Sequence, residues 1–178
     1  MFHKFLCMLE GSFKFALGIL PYENYSIELF IKVKVFNLSM IKVMASGVFD
    51  ILHLGHIHYL KESKSFGDYL VVIIASDYYA KKHGKELIFD ENERAKMVSE
   101  LRVVDEAVIG HSNDNIFQTV SEQKPDIITL GYDQRFDDSY IERECRKLGL
   151  NTKVKRVSPY DGIINSSSKI RKKILETM

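Results

Sequence analysis

Cysteine is scarce in this 178-residue chain, and the two present, Cys7 and Cys145, form neither a CxxC pair nor a metal-ligand spacing. That argues against a disulfide framework and a structural zinc site, and reads as reduced thiols in a cytoplasmic protein. Charge of either sign is barely in excess: 25 basic against 24 acidic side chains leave a net +1. A balance of that kind gives no footprint for a nucleic-acid partner. No uninterrupted apolar run reaches the length that spans a bilayer, so no membrane association is expected. The apolar N-terminus is broken by His3, Lys4, Glu10 and Lys14, and no small-residue cleavage site follows it, which argues against a secretory signal. Internal repeats, low-complexity tracts, an HExxH pair and a catalytic triad are all missing.

What is present is organised around Ile41–Leu60, IKVMASGVFDILHLGHIHYL. An apolar run reads as a buried strand. Small residues Ser46 and Gly47 make the turn, and His53-Leu54-Gly55-His56 opens a helix. Strand, tight turn and helix start together make an anion site, because a helix N-terminus presents unpaired N–H groups and the positive end of its dipole. His53 and His56 add donors on one helical face, and Gly55 lets a ligand approach the backbone. Phosphate contact is one reading of the pair. A metal pair needs a third ligand at suitable spacing, and ordinary surface or core histidines are the remaining alternative.

Downstream, strands and helices alternate. Tyr69–Ala75, Val103–Ile109, Ile127–Leu130 and Thr152–Val157 read as strands, the first a continuous apolar run as in a sheet buried on both faces. Asp77–Phe89 reads as a basic loop. Asp90 with Glu93 predicts a capped helix, and Gly149 a helix stop. Such alternation predicts an α/β fold: a doubly wound, mostly parallel, five-stranded Rossmann-like sheet over residues 40–178. With strand order 3-2-1-4-5, the reversal would bring HLGH and Gly131-Tyr132-Asp133-Gln134 to one crevice. Residues 1–39, with an alternating strand pattern at 27–35, read as an N-terminal extension of uncertain role.

The stretch Ser46–His56 closely resembles the (G/S)-x-F-D-x-x-H-x-G-H signature of the cytidylyltransferase-like nucleotidyltransferases, whose members usually begin near the position of Met40. They move a nucleoside monophosphate from a triphosphate onto a phosphorylated acceptor and release pyrophosphate. The resemblance implies a nucleotide site built from Val48, Phe49, His53, Leu54, Gly55 and His56, with the two histidines stabilising charge as pyrophosphate leaves. Lys85, ahead of Lys82 and Lys81, matches the lysine that reaches the triphosphate in such proteins; a solvated loop is its alternative. Arg94 matches the supporting arginine of an (E/H)-x-R helix start, or is a surface arginine. Asp133 would accept from ribose or base, or cap the next helix.

Ser166-Ser167-Ser168-Lys169-Ile170 resembles the family's I-S-T-T-K-I segment, a second phosphate site, though a serine run is also a good N-cap. Tyr160 would stack on a base, or only pack. HLGH lacks the tryptophan frequent in the glycerol-3-phosphate cytidylyltransferases, and the loop after Arg156 is longer than in that group. The G-x-D-Q spelling resembles the archaeal FAD synthases. The resemblance therefore implies transfer of AMP from ATP to FMN. The alternatives are a CTP-dependent cytidylyltransferase acting on a small phosphate and a non-catalytic nucleotide-binding domain. It also implies a divalent cation (Mg²⁺ or similar) carried on the phosphates, and a homodimer is in keeping with the family.

Overall fold

The computed structural model describes residues 40–178 apart from Asp114. Residues 1–39, and with them the strand pattern at 27–35, lie outside the described residues. Five strands form one sheet: β1 (Lys42–Gly47), β2 (Tyr69–Ile74), β3 (Glu106–Ile109), β4 (Ile127–Leu130) and β5 (Lys153–Arg156). Their order is β3-β2-β1-β4-β5 and every pairing is parallel. This is the reversal at β1/β4 that the alternation predicts.

Side chains along a strand alternate between faces, and the core divides accordingly. Val43, Ala45, Leu70, Val72 and Ile74 pack on one face with Leu60 and Val98, from helices α1 (Leu54–Lys64) and α3 (Glu91–Ser99). Met44, Val71 and Ile73 pack on the other with Val120, Ile141 and Cys145, from α4 (Ile116–Gln123) and α5 (Asp138–Lys147). Helices therefore cover both faces. The last helix, α6 (Ser167–Thr177), has no buried residue.

Strands β2 and β5 are shorter than the sequence reading by one or two residues, and two differences are larger. A short helix, α2 (Asp77–Lys82), stands inside the expected basic loop, started by the Ser76 side chain accepting from the Tyr79 N–H. Strand β3 begins at Glu106, because Leu101–Val104 closes a turn first, with the Val104 N–H donating to the Leu101 carbonyl at 2.8 Å. The α3 capping box is present, and Gly149 follows the end of α5 at φ 75°.

Candidate active site

The candidate site lies beyond the carboxyl ends of β1 and β4, where the strand order reverses and ligands of such sheets bind. Phe49, fully buried, holds a left-handed backbone at φ 52° and turns the chain out of β1. Its ring lies beneath Gly47, where a Cβ would come within 2.8 Å, so the turn needs glycine there. The ring also meets His56 at 5.1 Å between centroids. His53 is the N-cap residue of α1 but makes no side-chain cap bond. The first-turn amides thus receive no cap from the His53 side chain.

His53 and His56 stack face to face, 3.8 Å between centroids and 22° between planes. The Nδ1 atom of each ring is buried with no hydrogen-bond partner, a costly arrangement that a ligand can relieve. Burial, then the neighbouring His53, pushes the His56 pKa down to about 4; burial lowers that of His53 as well. Both rings are therefore neutral at neutral pH. His58 points elsewhere, its Nε2 lying 3.1 Å from the carbonyl and the hydroxyl of Ser158.

The β4 end is tied to this turn. Gln134 Nε2 donates to the Ser46 carbonyl at 3.3 Å, while its Oε1 accepts from the Gly131 N–H at 2.9 Å. Tyr59, one turn along α1 from His56, donates its hydroxyl to the Thr129 carbonyl at 2.9 Å. Burial pushes that phenol up to about 12, and the Asp133 carboxylate adds to the rise. The structure thus ties the turn after β1 and helix α1 to the β4 end at the strand reversal, with Asp133 exposed on the β4 side.

The start of α6 closes the third side. A Cβ on Gly55 would sit 3.1 Å from the Asn165 carbonyl oxygen, and the Ser167 hydroxyl donates to the Ile51 carbonyl at 3.3 Å. Ser166 caps α6 by accepting from the Lys169 N–H. Helices α2, α3 and α5 each carry an acidic residue in the first turn, whereas α1, α4 and α6 carry none. Two adjoining helix starts thus keep their positive dipole ends without an internal carboxylate.

The other candidates fall into two groups. Lys85 is exposed on the loop after α2. Leu54 is exposed and Val48 half-buried. Arg94 is fully buried instead of lying on the helix surface. It donates to the carbonyls of Val48 (2.6 Å), Ala75 (2.8 Å) and Phe89 (3.2 Å) and to the Asp77 carboxylate (2.7 Å). It holds the loops behind the crevice and does not face into it. Arg156 similarly binds the carbonyls of Gln134 and Phe136 and the Asp138 carboxylate. Tyr160 is half-buried, with its ring 5.8 Å from that of His58 and close to Gly162.

Sequence reasoning missed Tyr59 and Arg171, which carry no motif of their own, and underused Asp50 and Gln134, which stand inside quoted motifs. Asp50 is buried, and its Oδ1 accepts from the N–H groups of Ile88 (2.9 Å) and Phe89 (3.0 Å).

Known proteins resemble this arrangement. The chain is 67% identical over 135 residues to the FAD synthase of Picrophilus torridus, covering 76% of this chain and 96% of that protein. It is 61% identical over 137 residues to the FAD synthase of Thermoplasma volcanium, covering 77% and 96%. A crystal structure described as the lipopolysaccharide core biosynthesis protein from Thermoplasma volcanium matches with a TM-score of 0.67 and 59% identity, covering 69% of this chain and 100% of that one. Thermotoga maritima TmcAL, solved bound with alpha-thio ATP, shares the fold at a TM-score of 0.55 and 13% identity, over 78% of this chain and 51% of that one. The family model described as cytidylyltransferase-like spans residues 44–173, from β1 into α6, and the chain belongs to that family.

Proposed function

We infer that this chain is an FAD synthase, transferring AMP from ATP to FMN with release of pyrophosphate. The observation that carries the reading is the stacked, partnerless pair His53 and His56 at an uncapped helix start, facing the β4 end across the strand reversal. High identity to curated FAD synthases supports ATP and FMN as the substrates.

The chemistry needs alignment more than a base. An FMN phosphate oxygen, already ionised, attacks the α-phosphorus of ATP; the bond from that phosphorus to the bridging oxygen breaks, and pyrophosphate leaves with the electron pair. No proton moves in that step, so the protein's task is to place the two phosphates in line and meet the growing charge on oxygen. His53 and His56, neutral, donate N–H bonds to the triphosphate together with the amides at the start of α1. Ser166, Ser167 and the α6 start hold phosphate from the other side. Lys85 supplies a cation from the loop. Asp133 accepts from the nucleoside. Arg94 fixes the loops that carry these groups.

Among the described residues no three His, Cys, Asp or Glu side chains are grouped to hold a metal ion. Asp50, the nearest buried carboxylate, is occupied by two amides and Arg171. The donor set fits a divalent cation that arrives on the nucleotide, where it would neutralise phosphate oxygens. Residues 40–178 form the catalytic domain and 1–39 a peripheral extension. The protein acts in the cytoplasm without nucleic acid or membrane, as a homodimer. No helix among the described residues is long and apolar enough to cross a membrane.

Pyrophosphate release tests the reading. ATP with FMN and Mg²⁺ should release it at a rate well above CTP with glycerol 3-phosphate. A preference for the second pair, or no release from either, would overturn it. Removal of residues 1–39 should leave the rate unchanged.

A further inference from the structure

Helix α6 brings Ser166 and Ser167 to the crevice, yet it has no buried residue along its 11-residue length. Apolar packing therefore holds it weakly, and a helix so placed opens locally at low cost. Its polar ties consequently matter more than those of other helices. Arg171, in the second turn, provides a central one. Its Nη2 donates both to Asp50 Oδ2 and to the Glu86 carbonyl oxygen. The other oxygen of Asp50 receives the Ile88 and Phe89 N–H groups.

One guanidinium nitrogen thus joins three segments that are far apart in sequence: the turn that precedes His53, the loop next to Lys85, and the helix that follows Ser166. The Glu86 carbonyl belongs to the residue after Lys85, so this bond sets the backbone where that lysine leaves the loop. We propose that Arg171 is a positioning residue for nucleotidyl transfer: it holds the Lys85 loop and the α6 start in register with the two histidines. The inference rests on the nucleotidyl-transfer reading of the site. It differs from a general stabilising role in its geometry. The Arg171 Nε is buried without a partner and a single nitrogen makes both bonds, so the planar fork of arginine is not what the site uses. A lysine ammonium, with three donors on one nitrogen, can make the same pair of bonds.

The test compares Arg171→Gln, Arg171→Lys and the control Lys172→Gln, an exposed neighbour on the same helix. Arg171→Gln should lower kcat/KM for ATP roughly ten- to a hundred-fold, the scale of misplacing groups by about an ångström. Most of that loss should appear in KM. Amide hydrogen exchange at Ile88 and Phe89 should speed up in the same variant without any nucleotide present. Arg171→Lys should restore both readouts to within about threefold of the parent, as one ammonium can satisfy both acceptors, and Lys172→Gln should match the parent. Loss in Arg171→Lys equal to that in Arg171→Gln, or unchanged exchange at Ile88 and Phe89, would overturn the proposal. Should Arg171→Gln fail to fold, Arg171 would be a general stabilising residue and the proposal would fall. Failure of the parent enzyme to release pyrophosphate would instead overturn the functional reading, since the exchange experiment needs no substrate.

Discussion

The starts of α3 and α1 lie on the same face of the sheet and are built in opposite ways. At α3 everything polar is satisfied: Asp90 accepts from the Asn92 and Glu93 N–H groups, Glu93 returns a bond to the Asp90 N–H, and buried Arg94 finds acceptors for both its Nε and its terminal nitrogens. At α1 the N-cap side chain makes no cap bond, the first turn holds no carboxylate, and two imidazole nitrogens are buried without partners. A fold gains nothing by keeping polar atoms in that condition, which costs about 1–3 kcal/mol for each. The contrast sets the two starts apart without reference to any motif: the satisfied one braces the loops, and the unsatisfied one has the open donors that the proposed triphosphate contact would use.

The sharpest way to break this contrast is at Arg94. Arg94→Met removes a buried cation from Asp77 and strands three carbonyls, so stability should fall by about 3–5 kcal/mol. Chemical denaturation measures it, and a loss below about 1 kcal/mol would show that α3 is not the scaffold described. Next come the histidines. His53→Ala or His56→Ala should raise the barrier to pyrophosphate release by about 2–4 kcal/mol while leaving the denaturation midpoint close to that of the parent. Unchanged turnover in both variants would remove them from the reaction.

A pH series sharpens the same point. The folded His56 pKa lies below its unfolded value of 6.5, at about 4, so between those values the unfolded chain binds more protons than the folded one. Stability should therefore be complete above pH 6.5 and fall as pH drops towards 4, by roughly 3 kcal/mol for this one group. His56→Asn should flatten that slope. A smaller effect comes from exchanging the two kinds of helix start. Asp90→Ala should cost about 1 kcal/mol of stability and little activity, whereas His53→Asp should cap α1, gain a few tenths to about 1 kcal/mol, and abolish nucleotide binding. Equal effects on binding from the two substitutions would erase the comparison.

How much of this was legible in the sequence depended on the range of the interaction. The five strands, the Asp90 box and Gly149 were readable because each is decided by residues within one turn or one pleat. The α2 helix was not, since Lys81-Lys82-His83-Gly84-Lys85 reads as a solvated loop and only the Ser76 cap, outside that run, starts the helix. The tie between the turn after β1 and Gln134 followed from topology once the strand order was assumed. Arg94 stood out only by its (E/H)-x-R context, which says nothing of its burial, and Arg171 gave no handle: their partners Val48 and Asp50 stand 46 and 121 residues away. Tyr160 was legible only as an aromatic in a suggestive loop; its tilted contact with His58, in the chain's other half, was not.

The contact between Gly47 and the Phe49 ring has a consequence for how this chain tolerates change. A methyl group at 47 would run into the ring at 2.8 Å, and removal of the ring would leave a hole beside His56. Neither position can be altered alone without disturbing the imidazole stack, so a combinatorial library over the pair should recover its functional members as linked substitutions, with a smaller residue at 49 accompanying any gain of bulk at 47.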